Sequence, residues 1–186
     1  SNQGSLISQI LNKSSMWHKT VCLTLATLIG CGLNCAKAGA TPPPVRIMTY
    51  NIRYDNPGDS LNAWPNRRQD LLGLLGYHKP EILCIQEGLS SQVQDLAAGL
   101  PDYGWCGMGR DDGQQAGEYS AIFYDRRRFK LLQDSTFWLS PTPDQPSKGW
   151  DSALNRIATW ARLKDKKTGR TLFVFNTHFD HIGTSA

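Results

Sequence analysis

The sequence has 186 residues, of which 40% are hydrophobic and 19% are charged. This composition is typical of a globular protein and excludes disordered, collagen-like and coiled-coil chains. The formal net charge is +4, but residues 1–40 contain three lysines and no acidic residue, whereas residues 41–186 contain 17 basic and 16 acidic residues. Because this body is nearly neutral, a polybasic nucleic-acid clamp is excluded, while a local basic patch is not.

Residues 16–40 have the layout of a secretory signal peptide. A basic start at Lys19 precedes the apolar run Val21–Ile29, and small residues follow, with cleavage expected after Ala38 or Ala40. The run is too short to cross a bilayer, so we expect no transmembrane helix. The pattern predicts an exported protein, periplasmic or extracellular.

The end of the apolar run also allows an alternative interpretation. Leu28–Cys31 resembles a bacterial lipoprotein box, which predicts a lipid anchor at Cys31. A buried N-terminal helix is disfavoured because glycines interrupt the segment. Residues 1–15 are interpreted as an upstream segment, and the proline-rich residues 41–44 as a stiff linker into the folded domain.

The hydrophobic pattern after residue 44 predicts strand, helix, strand, helix and then mainly strands. The predicted helices are Arg67–Tyr77 and a segment capped by Ser90 or Ser91 that runs to Leu100; the predicted strands are Val45–Asn51, Glu81–Glu87, Tyr103–Cys106, Tyr119–Tyr124, Phe129–Trp138, Ile157–Lys164 and Thr171–Thr177. This order favours an α/β or α+β domain in which helices pack on mixed sheets. We expect Val45–Thr49 and Ile82–Ile85 to be neighbouring buried strands connected by a right-handed crossover.

Polar residues collect at the ends of these strands. Asn51 ends the first, Gln86 and Glu87 end the second, and His178 and Asp180 follow the last. In layered α/β proteins the carboxyl ends of strands are where sites form. Away from these strand ends, we expect Cys84 to be a buried thiol and Arg126–Arg128 to form a solvated turn.

Four segments carry the chemistry, and their order and spacing are far more specific than any one of them. They are Thr49–Arg53, Ile85–Glu87, Gly117–Ile122 and Asn176–His181. Together they resemble the endonuclease/exonuclease/phosphatase family, whose fold is that of deoxyribonuclease I, and in particular an often secreted bacterial branch. The resemblance runs from about Val45 to the end of the chain and implies a layered sandwich of mixed β-sheets flanked by helices.

The resemblance implies a metal site and a phosphate site. Glu87 matches the metal-binding glutamate and Asn51 the asparagine of the first motif, which implies Mg²⁺, with Mn²⁺ or Ca²⁺ as alternatives. His178 matches the histidine that contacts the scissile phosphate. Glu118 matches the acid that orients this histidine, a pairing expected to raise the imidazole pKa. Arg156 matches a phosphate-binding arginine.

Asn51, Glu118, Arg156 and His178 are therefore the catalytic candidates, and Tyr119, Asp180 and His181 are candidates for substrate contacts. We expect Asn51, Glu87, Glu118 and His178 to converge at one end of the sheet. The implied function is a monomeric, divalent-metal-dependent phosphoesterase, in which water attacks a phosphate ester in line. Its substrate is a nucleic acid, a phosphorylated sugar or a lipid head group.

Two other functions are compatible with the sequence. One is a metallo-β-lactamase-like zinc hydrolase. The first histidine of its zinc motif would fall at position 176, but this sequence has Asn176 there. A non-catalytic binding module on the same fold is the other.

The later motifs of the family, Asp-x-Asn and Ser-Asp-His, do not occur in this sequence. Residues 45–186 are therefore interpreted as the N-terminal part of a larger domain. We expect this part alone to be inactive and prone to aggregation. We also expect the last strand to expose apolar residues from the segment Leu172–Phe175.

Overall fold

The computed structural model describes residues 41–183. The predictions for the upstream segment, the signal peptide and the lipid anchor at Cys31 fall on residues 1–40 and lie outside the described residues. The elements in chain order are β1 (Ile47–Asn51), a short 3-10 helix (Pro57–Asn62), α1 (Trp64–His78), β2 (Ile82–Gln86), α2 (Ser90–Gly99), β3 (Tyr103–Cys106), β4 (Ile122–Asp125), β5 (Phe129–Trp138), β6 (Ile157–Asp165) and β7 (Thr171–Thr177).

Two sheets pack face to face, with the helices on the outer side of the first. The first sheet has the order β1-β2-β4-β3, and the second, which is antiparallel, has the order β5-β6-β7. β1 pairs with β2 in parallel, from Ile47 opposite Ile82 to Asn51 opposite Gln86, and α1 makes the crossover. The predicted α+β class and the neighbouring strands are therefore confirmed.

β1 is less buried than predicted. It is an edge strand with a single neighbour, and four of its five residues are exposed, including Ile47 at 59%. The prediction of burial from its apolar residues was wrong because burial depends on what lies beside the strand, which the local pattern does not contain.

β2 lies at the centre of the domain and is buried along its whole length. Leu83 and Ile85 pack in a core with α1 and α2, whereas Ile82 and Cys84 pack in a second core against the other sheet. Cys84 is a free buried thiol, as predicted, and burial raises its pKa to about 11.

Three details of the prediction are corrected. α1 begins at Trp64, earlier than expected, because Pro65 occupies the first turn, where a missing N–H costs no hydrogen bond. Ser90 and Ser91 do not cap α2; the side chain of Gln92 accepts a hydrogen bond from the Leu89 N–H instead. The turn Arg126–Arg128 is not uniformly solvated, because Arg128 is only 2% exposed and pairs with buried carboxylates.

β7 has two different faces, as expected from its alternation. Val174 and Asn176 are buried, whereas Phe173 and Phe175 are 58% and 65% exposed. The prediction of exposed apolar residues on this strand is confirmed for these two phenylalanines. Within residues 41–183, neither helix combines the length and hydrophobicity that a membrane span requires.

Candidate active site

The ends of β1, β2 and β7 bring the predicted residues together. Asn51 Nδ2 donates a 2.8 Å hydrogen bond to Glu87 Oε1, and His178 Nε2 lies 3.9 Å from the same oxygen. His178 Nδ1 lies 4.0 Å from Glu118 Oε2. The predicted convergence of these four side chains is confirmed; their chemical roles stay predictions.

Strained backbone lies where β1 and β2 end. Glu87 and Arg53 are non-glycine residues in the left-handed region, with φ of 64° and 57°. Such residues cost free energy and persist where the surroundings fix them. Here the Arg53 carbonyl accepts hydrogen bonds from the Arg67 guanidinium and, at 2.9 Å, from the buried Gln92. The strand-end turn that carries the first motif is therefore held rigidly.

Arg156 holds a second group of side chains in the site, namely Asp180, His178 and His181. It is only 4% exposed, and its Nε donates to Asp180 Oδ1 at 3.0 Å. Its Nη1 lies 3.4 Å from His178 Nδ1 and its Nη2 lies 3.1 Å from His181 Nδ1. Because a guanidinium only donates, each imidazole must accept at Nδ1 and carry its proton on Nε2.

The electrostatics of His178 differ from the prediction. Burial lowers the pKa of His178 below its ordinary value, and the neighbouring Arg156 cation lowers it further; Glu87 and Glu118 only partly oppose this. Glu118 raises the pKa as predicted, but the expected net rise is wrong because burial and Arg156 outweigh it. The neutral imidazole carries its proton on Nε2, which faces Glu87 at 3.9 Å and leaves this N–H free to donate to a group bound between them.

Glu118 has a closer partner than His178. Arg110 Nη1 donates to Glu118 Oε2 at 2.7 Å, and the two side chains are only 10% and 18% exposed. The carboxylate is thus neutralised mainly by Arg110, a residue that the sequence analysis missed. Its position in a glycine-rich loop gave no periodic signal that could have identified it.

The three candidates for substrate contacts occupy different positions. Tyr119 packs in the core at 4% exposure, and its hydroxyl donates to the Gln114 carbonyl, so its placement does not support a substrate contact. Asp180 accepts hydrogen bonds from the N–H groups of Ala153, Ile182 and Gly183 as well as from Arg156. These contacts, led by Gly183, hold the pKa of Asp180 far below its usual range, and its side chain orients Arg156.

His181, the third candidate, lines a cavity of about 400 Å³. The other side chains that line it are Arg53, Tyr54, Glu87, Glu118, Leu154, Arg156 and His178. The cavity combines cationic, imidazole and carboxylate groups with a small apolar part. Such a lining suits an anion that is attached to a larger, partly apolar group.

The residues present fit a hard divalent cation. Glu87 is 17% exposed and faces the cavity, and Mg²⁺ binds through one or two carboxylates while keeping waters. Asn51 donates its amide to Glu87 and accepts the Arg53 N–H at 2.9 Å, so it orients the carboxylate. Its own role as a metal ligand stays a prediction.

The zinc alternative finds no support in the part of the chain that the structure describes. That part contains no group of three His, Cys, Asp or Glu side chains arranged to hold a metal. Asn176, at the position of the missing histidine, is buried and donates to the carbonyls of Ile85 and Ala121. Its amide is used inside the core and does not face the cavity.

Comparisons with known proteins identify the family. The sequence model of the Endonuclease/Exonuclease/phosphatase family matches residues 48–172, and this chain belongs to that family. A crystal structure of an endonuclease/exonuclease/phosphatase from Bacteroides vulgatus is 49% identical, with a TM-score of 0.75, over 76% of this chain and 54% of that one.

Two further relatives were found. A mannosyl-6-phosphatase from Bacteroides thetaiotaomicron is 42% identical, with a TM-score of 0.74, over 76% of this chain and 54% of that one. An uncharacterised protein of Acanthamoeba polyphaga mimivirus is 27% identical over 145 residues, which are 73% of this chain and 54% of the relative. The chain spans about half the length of the relatives it matches.

Proposed function

We propose that the protein containing this chain is a divalent-metal-dependent phosphatase that removes phosphate from a phosphorylated sugar. Its family consists of phosphoesterases and nucleases, so the hydrolysis of phosphate esters is the common activity. The observation that carries the proposal is the meeting of Glu87, the candidate metal ligand, with His178 in one cavity, 3.9 Å apart. A metal ion and a phosphate can share such a space.

The cavity side chains bind and orient the phosphate. Arg156 is fixed by Asp180, and it fixes the imidazoles of His178 and His181 with Nε2–H outward. In the proposed complex, His178 donates Nε2–H to a phosphate oxygen that also lies near Glu87. Arg53, across the cavity, is held by Asp59 through two 3.0 Å contacts and supplies a second guanidinium.

The overall reaction breaks the bond between phosphorus and the sugar oxygen and forms a bond between phosphorus and water oxygen. The sugar leaves as an alcohol after gaining a proton, and water loses one. Glu87 would hold the divalent ion, which would neutralise charge on the phosphate oxygens. Preorganised donors add to this, because they are already aimed where negative charge develops. The base that takes the proton from water is not assigned to any residue of this chain.

Two observations favour a phosphorylated sugar over the other substrates. The relative that is 42% identical is a mannosyl-6-phosphatase. The cavity of about 400 Å³ suits one phosphate and one sugar ring, and Tyr54 and Leu154 give it an apolar part. By contrast, duplex nucleic acid is bound mainly by neutralising many phosphates, and residues 41–186 carry a net charge of only +1.

The test is a substrate panel for the protein expressed from the whole reading frame that contains this chain. Mannose 6-phosphate, other sugar phosphates, a phosphodiester, DNA and RNA are assayed before and after EDTA treatment, and after return of Mg²⁺, Mn²⁺, Ca²⁺ or Zn²⁺. We expect sugar phosphate hydrolysis that EDTA abolishes and Mg²⁺ or Mn²⁺ restores. Hydrolysis that survives EDTA, or activity confined to nucleic acid, would contradict the proposal.

Variants of the site are compared with matched control variants, so that a loss of activity at the site is distinguished from a general effect on folding. His178→Gln removes the donor inside the cavity, and His78→Gln removes an exposed histidine at the end of α1. Glu87→Gln removes the carboxylate charge, and Asp70→Asn does the same on the exposed face of α1. We expect the two site variants to lose at least about a hundredfold in kcat/KM and the two controls to retain it.

A further inference from the structure

Gln92 is a polar residue that is completely buried at the start of α2. Burial of a side-chain amide costs free energy unless its polar atoms form hydrogen bonds. Methionine has a similar length and a similar helix propensity, and it would bury no amide. What distinguishes Gln92 from an apolar residue at this position is therefore the set of hydrogen bonds that its amide forms.

These hydrogen bonds connect two loops, which we call the first-motif loop (residues 52–56) and the β2–α2 loop (residues 87–89). Gln92 Oε1 accepts from the Leu89 N–H at 3.1 Å and from the Asp55 N–H at 2.9 Å, and Nε2 donates to the Arg53 carbonyl at 2.9 Å. The Leu89 contact belongs to the cap of α2. The other two partners lie 37 and 39 residues away along the chain, so capping accounts for only one of the three contacts.

Both loops carry side chains that line the active-site cavity. Arg53 and Tyr54 lie on the first-motif loop, and Glu87 lies on the β2–α2 loop. Each loop also contains a non-glycine residue in the left-handed region, Arg53 or Glu87, and such a conformation persists only where its surroundings fix it. Gln92 bonds to Arg53 itself and to Leu89, two residues after Glu87. It therefore ties the two strained turns to each other.

Two other hydrogen bonds reach the Glu87 carboxylate from the end of β1 and from the first-motif loop. Asn51 Nδ2 donates to Oε1 at 2.8 Å, and the Tyr54 N–H donates to Oε2 at 3.4 Å. A divalent ion held by Glu87 would compete for these oxygens. The contacts of Gln92 use neither oxygen, so they hold the two loops together whether or not the carboxylate is engaged by a metal ion.

We propose that Gln92 is a positioning residue, which fixes the Arg53 guanidinium and the Glu87 carboxylate relative to each other for one metal-bound phosphate. It lies outside the cavity lining and acts through the two loops. The inference rests on the proposed function, because it takes Glu87 as the metal ligand and Arg53 as a phosphate-binding cation. Gln92→Met would remove the acceptor of two N–H groups and release the loops from each other.

Hydrogen exchange tests the connection itself, in the protein expressed from the whole reading frame. In Gln92→Met the amides of Asp55 and Leu89 should exchange about tenfold faster or more, relative to the amides of β2. Gln92→Glu keeps an acceptor for both N–H groups and should retain their protection. The matched control is Leu96→Ala, which truncates another fully buried side chain of α2 that contains no polar atom. It should lower the stability of the domain and leave this ratio unchanged.

Mn²⁺ binding to the same proteins, followed by electron paramagnetic resonance, tests the positioning. We expect Gln92→Met to weaken Mn²⁺ binding by about tenfold, as loss of a group that orients a metal ligand does, and to raise KM for the sugar phosphate. Leu96→Ala should keep the wild-type affinity at a temperature where both variants are folded. Unchanged Mn²⁺ affinity in Gln92→Met, or an equal loss in Leu96→Ala, would overturn the inference.

The Mn²⁺ measurement also distinguishes this inference from the proposed function. Mn²⁺ binding that is weakened in Gln92→Met, in a wild-type protein that hydrolyses no sugar phosphate, would contradict the proposed substrate and still support the role of Gln92. A wild-type protein that hydrolyses sugar phosphate, with Mn²⁺ binding unaffected by Gln92→Met, would overturn the role of Gln92 alone. A wild-type protein that binds no Mn²⁺ would overturn both the proposed metal site and this inference.

Discussion

Gln86 Nε2 donates a 2.7 Å hydrogen bond to Asn176 Oδ1, and this buried contact joins the two sheets directly behind the site. Gln86 is the last residue of β2 and precedes Glu87, while Asn176 lies in β7 two residues before His178. The candidate metal ligand and the candidate phosphate donor come from different sheets. The amide pair therefore helps to set their separation, because Gln86 is next to Glu87 in sequence and Asn176 lies two residues before His178.

Removal of this amide should destabilise the domain. Asn176→Ala removes one buried hydrogen bond each from the carbonyls of Ile85 and Ala121 and from the amide of Gln86, although Ala121 O and Gln86 Nε2 keep a second partner. We expect a loss of about 3 kcal/mol in the free energy of unfolding, measured in urea. Asn66→Ala, which removes an exposed 3.3 Å hydrogen bond, is the control and should change stability by less than about 0.5 kcal/mol. Equal losses of stability in the two variants would contradict the stabilising role of the Asn176 amide.

The pKa of His178 is a direct test of the charge arrangement. NMR titration should give a pKa below the ordinary 6.5, because burial and Arg156 both disfavour the charged ring. Arg156→Gln should raise it, whereas Arg162→Gln, on an exposed position of β6, should not. A pKa above 6.5 in the wild type would show that Glu118 or Glu87 dominates.

The same pKa has a consequence for stability. Since the folded-state pKa of His178 is lowered, the unfolded chain binds the proton more readily. The contribution of this residue to stability is therefore complete above pH 6.5 and decreases as the pH falls below it. Comparison of urea unfolding of wild type and His178→Gln across this range measures the difference, which should shrink toward acid pH.

The Arg110–Glu118 pair should behave as a partly buried ion pair. Glu118→Leu leaves a guanidinium that is only 10% exposed without the carboxylate that accepts its 2.7 Å hydrogen bond. We expect a loss of about 3 kcal/mol in unfolding free energy for this single variant. The double variant Arg110→Met with Glu118→Leu should recover much of that loss. A double variant that shows the full sum of the losses in the single variants Glu118→Leu and Arg110→Met would show that the two residues act independently.

Local sequence patterns predicted the main helices and strands. They failed where burial depends on residues that are distant in the sequence. The apolar run Ile82–Ile85 and the stripe of α1 specified β2 and its crossover because their periodicity is contained in the segments themselves. The burial of Arg128 was missed because its partners, Glu81, Asp165 and the linker carbonyls, are between 37 and 85 residues away along the chain.

The site shows the same division. Its residues were found because they match family motifs at the ends of predicted strands, as Asn51, Glu87 and His178 do, or just before them, as Glu118 and Arg156 do. The pKa of His178 was predicted with the wrong sign because the prediction rested on Glu118 alone, whereas burial, which lowers it most, and the cations Arg156 and Arg110 depend on the three-dimensional arrangement. A sequence pattern identifies the groups present, but the balance of burial and charge depends on their distances.

The most direct test of the central claim is sugar phosphate hydrolysis by the protein from the whole reading frame, with wild type, Glu87→Gln and Asp70→Asn compared at increasing Mg²⁺ after EDTA treatment. The account predicts Mg²⁺-dependent release of phosphate by wild type and Asp70→Asn, and release at least about a hundredfold slower by Glu87→Gln at every Mg²⁺ concentration. Equal rates for wild type and Glu87→Gln, or release that needs no metal, would contradict the assignment of Glu87 and His178 to one metal-dependent phosphate site.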